Sequence, residues 1–234
     1  MPAIAALLCI CTVLQAWTVV ANVEKTIFLG PSAVTLPDVR PSLEDLHLHA
    51  LSSQNHILPT QLSVIFPSTS QPHGLESWYL LSGLEEGARY EVRICWPATS
   101  PTDFWLDTYP IVEAFNTPEL ASSLATYSEQ LQTTKAIDHT KKLENSGGAR
   151  SLLFLRIQAA ASYYSTNRTL MDSPPPVDVD IILDPFLLNV LPRSLVPVAA
   201  YITIVAVAAW FLSAYVYRWL LLVVQEPLPK ARTD

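Results

Sequence analysis

Apolar and polar positions alternate on three different periods along this chain. Near the carboxyl end, Leu195 to Tyr217 reads LVPVAAYITIVAVAAWFLSAYVY, a run without a single charge. At about 1.5 Å per residue it reaches roughly 35 Å as a helix, enough to cross a hydrocarbon core of about 30 Å. The run predicts a membrane-spanning helix over residues 194–217, with Arg193 and Arg218 at its two ends. Ser194 is placed to cap its first turn. Residues 2–21, PAIAALLCICTVLQAWTVVA, form a second uncharged run closed by the small residues Val19, Val20 and Ala21. This pattern predicts a secretory signal peptide over 1–21; with no Lys or Arg ahead of the run, an uncleaved anchor stays open as the other reading.

Between these runs, over residues 22–193, the period falls to two. Tyr90, Val92, Ile94 and Trp96 alternate with Glu91, Arg93 and Cys95, which predicts a central strand with one apolar, aromatic face. Tyr90 and Trp96 are its structural residues. Thr26–Leu29, Gln61–Phe66, Ser77–Leu81, Phe104–Asp107, Ser151–Ile157 and Val177–Ile181 are further strand candidates. Pro31, Pro37, Pro41, Pro59, Pro67 and Pro72 are expected between strands, where a missing N–H breaks no ladder. Leu84, Gly87 and Tyr90 have the spacing of a tyrosine corner, in which the phenol bonds back to upstream backbone. An ordinary strand after a glycine turn fits the same residues, and both readings give a β domain.

A helical period returns at Thr117-Pro118-Glu119, which supplies a cap, a first-turn proline and an acidic residue. Leu120, Leu124, Tyr127 and Leu131 then share one face of a helix to about residue 132. The polar, glycine-ended stretch 133–150 predicts a loop, so about 117–150 reads as an insertion. The expected fold class is mainly β: a β-sandwich-like domain with a helical and loop insertion, one C-terminal transmembrane helix, and a tail over 218–234.

The net charge of −7, with 19 acidic against 11 basic residues between Asn22 and Arg193, leaves no basic footprint for nucleic acid. Cys9 and Cys11 fall in the first apolar run, so Cys95 is the sole thiol of the chain that would follow cleavage. It has no intrachain disulfide partner, which points to an early secretory compartment. Arg218, Lys230 and Arg232 follow the second helix, against Arg193 alone just before it, which orients the tail to the cytosol and the domain to the lumen. The ending Lys230-Ala231-Arg232-Thr233-Asp234 approximates a Lys-x-Lys-x-x retrieval signal.

Candidate chemistry is sparse. Asn167-Arg168-Thr169 is the only N-x-S/T sequon, making Asn167 the glycosylation candidate. His47, His49 and His56 lack further spaced ligands and read as solvated surface rather than a metal site. Asp178, Asp180 and Asp184 suggest a divalent-cation site, but alternation turns the first two toward solvent. No G-x-S-x-G, glycine-rich phosphate loop or H-E-x-x-H occurs. No catalytic, cofactor-binding or metal residue is assigned, and no cofactor is expected. Ala199, Thr203, Ala206 and Ser213 form a small-residue stripe along which a second membrane helix can approach closely.

Two segments, Tyr90-Glu91-Val92-Arg93-Ile94-Cys95-Trp96-Pro97-Ala98-Thr99-Ser100-Pro101 and Leu183-Asp184-Pro185-Phe186-Leu187-Leu188-Asn189-Val190-Leu191-Pro192-Arg193-Ser194-Leu195, carry a resemblance. They resemble the fungal accessory, or co-activator, subunit of the second mannosyltransferase of glycosylphosphatidylinositol (GPI) anchor assembly. The resemblance implies a single-pass type I protein of the endoplasmic reticulum membrane with a lumenal domain. It also implies a multispanning catalytic partner that transfers the second mannose from dolichol-phosphate mannose, this chain doing no chemistry. Two other readings share the architecture: an accessory subunit of another lumenal glycosyltransferase, and a type I receptor or adhesion protein.

Overall fold

Alternation along the strands builds two sheets with one core between them. A computed structural model describes residues 21–33, 46–134 and 151–224. Its strands are β1 (Ala21–Leu29), β2 (His49–Ser52), β3 (Ile57–Leu62), β4 (Leu75–Ser82), β5 (Arg89–Pro97), β6 (Thr102–Pro110), β7 (Leu152–Ala161), β8 (Val177–Leu187) and β9 (Leu191–Pro192). The first sheet has the order β1-β5-β8-β3, with β9 folded back on β8; the second has the order β2-β4-β7-β6. All pairs are antiparallel except β2 with β4. The protein is mainly β, as the alternation predicts.

Tyr90, Val92, Ile94 and Trp96 of β5 and Val177, Val179, Ile181 and Leu183 of β8 face inward and meet Tyr79, Leu81, Leu155 and Ile157 of the second sheet. Trp96 closes one end of this core edge-on to Phe104, with ring centroids 4.6 Å apart. The other end is fastened by Tyr90. Its hydroxyl accepts a hydrogen bond from the Glu85 backbone N–H at 2.9 Å, its ring stacks on Phe28, and Gly87 turns the chain at φ 72°. Gly30 bonds to both Ala88 and Gly87 of the same corner. A Cβ at Gly30 would lie 2.1 Å from the Glu85 carbonyl oxygen, so only glycine permits this approach.

Two helices between β6 and β7 add a third layer. These are α1 (Ile111–Asn116) and α2 (Pro118–Thr134). Leu120 and Leu124 are buried on the outer face of the second sheet with Trp78, Leu80, Ile111 and Phe154, and Tyr127 packs against them. The helical segment predicted from Thr117 is therefore preceded by a further short helix and is part of the core. A polar clasp fixes α2: Trp78 Nε1 donates to Ser123 Oγ at 2.9 Å, and the Ser123 hydroxyl donates to the Glu76 carboxylate. Residues 133 and 134 extend α2, and the remainder of the predicted loop, 135–150, lies outside the described residues.

Several boundaries differ from the pattern reading. Pro59 lies inside β3, opposite Asp180, rather than between strands. It is accommodated because β3 is an edge strand, where one side of the backbone needs no donor. The strand expected over Gln61–Phe66 starts and ends earlier, at Ile57–Leu62, leaving Ile65 as an isolated bridge to Ala160. A short helix, α3 (Arg168–Asp172), follows Asn167. The last helix, α4, runs Val196–Val224, seven residues beyond Tyr217, because Trp219 to Val224 stays apolar after Arg218. It is the one helix among the described residues long and apolar enough to cross a membrane, and the most hydropathic part of it buries nothing against the rest of the protein.

Candidate functional site

The two most informative segments of the sequence are neighbours in space: β5 and β8 pair along Tyr90–Cys95 and Asp180–Pro185. On the outer face of the first sheet this register sets Glu91 directly opposite Asp184. Two like charges in that arrangement repel, and both residues are buried, at 3% and 5% exposure. Cations balance them. Lys25 Nζ lies 3.1 Å from Glu91, and Arg93 Nη1 lies 3.6 Å from both Glu91 and Asp184. β1 contributes Lys25 because it pairs with β5 so that Lys25 stands opposite Arg93.

The same cluster holds the entry to α4. A 3-10 turn, Arg193–Leu195, leads from β9 into the helix. In that turn the Ser194 N–H donates to both carboxylate oxygens of Asp184 at 3.3 Å. Arg93 Nη1 donates to Ser194 Oγ at 3.2 Å. Ser194 thus joins the turn to the sheet instead of capping the helix as its position predicts. Buried charges impose geometry because a displaced partner leaves an unpaired ion out of water. The network consequently couples the central strands of the sandwich to the root of α4.

Next to this junction the chain makes a tight hairpin between β8 and β9. Leu188 and Asn189 both have positive φ, 52° and 57°, and the Val190 N–H closes the turn on the Leu187 carbonyl at 3.1 Å. Asn189 fastens the hairpin to the β4–β5 turn. Its Oδ1 accepts from the Arg89 N–H at 2.8 Å, and its Nδ2 donates to the Gly87 carbonyl at 3.1 Å. Arg89 in turn lies over the Phe186 ring.

The other sequence-predicted positions are scattered. Asn167 is exposed and caps α3, its side chain accepting from the Thr169 N–H. Ala199, Thr203, Ala206 and Ser213 lie along α4, where the Thr203 hydroxyl bonds back to the Ala199 carbonyl at 2.8 Å. Asp178 and Asp180 are exposed on the outer sheet face, and Asp178 accepts from Gln61 Nε2 at 2.7 Å. Asp184 is apart from them, engaged by Arg93 and Ser194. No group of potential metal ligands occurs among the described residues, His47, His49 and His56 included. Burial raises the Cys95 thiol above its ordinary pKa, opposed by the neighbouring Arg93 charge and reinforced by Asp180. The retrieval-like ending 230–234 and residues 1–20 lie outside the described residues.

A model of the Pga1 family, described as GPI-mannosyltransferase II co-activator, matches residues 71–216. The chain belongs to this family. The Pga1 match covers β4 to β9 and most of α4, including Glu91, Arg93, Asp184 and Ser194 of the network but not Lys25. It leaves out β1, β2 and β3, each of which is a sheet edge. A GPI mannosyltransferase 2 subunit of Schizosaccharomyces pombe is 21% identical over 160 residues, 67% of this chain and 66% of the relative. The aligned part thus spans just under two thirds of that relative's length. No solved structure matches the chain.

Sequence reasoning found the two strands and the helix of this junction but missed what joins them. Glu91 and Arg93 read as a polar face, and Asp184 as a third member of an acidic series. The available signal was the chain distance from Asp184 to Ser194, short enough for one hairpin to bring them together.

Proposed function

We propose that this chain is a non-catalytic accessory subunit of an endoplasmic reticulum complex that adds the second mannose during GPI-anchor biosynthesis. In this reading α4 spans the membrane once, the sandwich is lumenal, and the tail is cytosolic. The catalytic partner is a multispanning mannosyltransferase. Family membership supports the co-activator role, and the name of the fission-yeast relative, a subunit of a GPI mannosyltransferase, agrees with it.

The observation that carries the reading is the ionic junction between β5, β8 and the turn into α4. A subunit that supports a membrane-embedded enzyme has to present a lumenal surface and a membrane helix in one fixed relation. A flexible tether would serve a receptor equally well; a clasp of buried charges suits a subunit. The small-residue stripe of α4 supplies a surface for a partner helix, since close backbone approach is what drives association in lipid.

Affinity purification from membranes in mild detergent, followed by identification of co-purifying proteins, tests the proposal. The expected result is stoichiometric recovery of a multispanning mannosyltransferase. Recovery of a different lumenal glycosyltransferase would transfer the subunit role to that enzyme, and recovery of neither would remove it.

A further inference from the structure

We propose that the β8–β9 hairpin is a membrane-interface anchor, its tip inserted into the lumenal leaflet beside the entry of α4. This rests on the reading of α4 as a membrane span. The tip carries exposed apolar side chains: Leu187 is 53% exposed, Leu188 88% and Val190 78%. Leu29, exposed at the end of β1, stands at the same end of the sheet, since it pairs with Arg89.

Two features make this unlike ordinary surface leucine. Leu188 occupies the first central position of a mirror-image turn at φ 52°, a conformation that asparagine and glycine adopt readily and leucine does not. Neither burial nor backbone preference accounts for leucine there. The hairpin is also held in place by the two Asn189 hydrogen bonds to the β4–β5 turn. The apolar tip is therefore presented by a rigid support.

Position selects the occupant. Ser194 is fixed at the level of Asp184, and Leu188 lies four residues beyond Asp184, just past the end of β8. At roughly 3.3 Å per residue the tip stands within about 13 Å of the turn that leads into α4. Apolar side chains at that distance from a bilayer entry are within reach of the zone between head groups and acyl chains. Charge at this end is balanced, with Arg89 and Arg193 against Glu85 and Glu86. Attraction to anionic head groups is not what seats the hairpin, and the ligand is the acyl region of a neutral leaflet.

The test uses the full chain, with Cys9, Cys11 and Cys95 changed to serine, reconstituted alone into phosphatidylcholine vesicles. An environment-sensitive fluorophore is attached in turn at Leu188→Cys, at Ser100→Cys in the β5–β6 turn, and at Phe211→Cys in the middle of α4. Lipids carrying a spin label on the acyl chain and aqueous iodide serve as the two quenchers. The label at 188 is expected to be quenched by the lipid and shielded from iodide, as at 211, while the label at 100 shows the reverse. If 211 is lipid-quenched and 188 is open to iodide, the anchor is wrong and the span stands. Shielding of 188 from both quenchers means that protein covers the tip, which also overturns the anchor. Iodide access at 211 removes the span itself, and the anchor with it.

Discussion

Arg93 sits between two buried carboxylates, and its removal is the most informative single change. Without it Glu91 and Asp184 face each other in register with only Lys25 to balance them. Arg93→Ala is expected to destabilise the protein by about 3 kcal/mol, the lower end of the cost of breaking a buried pair. The lower end applies because Arg93 keeps 23% of its side-chain exposure. Glu91→Gln, which removes one of the two opposed charges, should restore part of the loss in the double variant. Thermal unfolding of the detergent-solubilised chain measures both. At the other side of the strand, Tyr90→Phe deletes a hydroxyl that accepts from Glu85 N–H and should cost about 0.5–1.5 kcal/mol. Trp96→Ala should cost more, about 3–5 kcal/mol, because the ring fills the end of the core against Phe104. Equal, negligible losses for these two would contradict the packing described. Cys95 gives a pH-dependent readout. Burial favours its neutral thiol, so its alkylation by iodoacetamide at neutral pH should be slower than that of an exposed cysteine. The rate should rise only once pH passes above the ordinary thiol range.

Among the elements, β5 and α4 were the most legible in the sequence, and for the same reason. Each has a period long enough to outvote local noise: four inward residues from Tyr90 to Trp96, and an uncharged run long enough to span a bilayer. Elements set by tertiary context were harder to read. β2 is a four-residue edge strand paired in parallel with β4, and nothing in His49–Ser52 announces it. Pro59 argues against a strand by composition, yet it is tolerated on an open edge. The junction was illegible because its charges come from β1, β5 and β8 and its last partner, Ser194, from the turn after β9, which only the pairing register assembles. For α4, the stripe makes its own prediction. Ala206→Leu with Ser213→Leu adds bulk where a partner helix would approach, while hydrophobicity is kept. The double variant should reach the membrane and lose the partner in co-purification. Val205→Leu with Leu212→Ile, off the stripe, should be tolerated. Full partner recovery by the stripe variant would assign the association to the sandwich.

At the scale of the whole molecule, topology and function are separable. If the sandwich is lumenal, protease added to intact microsomes should remove a tag placed after Asp234 and spare the domain. Asn167, exposed at the start of α3, should then carry the endoglycosidase-sensitive mass, and Asn167→Gln should abolish it. A protected C-terminal tag would invert the orientation while leaving family membership intact. The functional prediction follows from the proposed subunit role, in which the domain, the clasp and the helix form one connected path that holds the enzyme in a competent state. Depletion should therefore lower the activity of the second mannosyltransferase step and leave GPI precursors carrying one mannose to accumulate. Arg93→Ala, which loosens the clasp without touching the α4 stripe, should give a weaker version of the same accumulation while the chain still co-purifies with its partner. That combination, association retained and activity reduced, distinguishes a subunit whose lumenal domain must be oriented from one that contributes only a helix. Unchanged precursors after depletion would exclude the second-mannose assignment altogether.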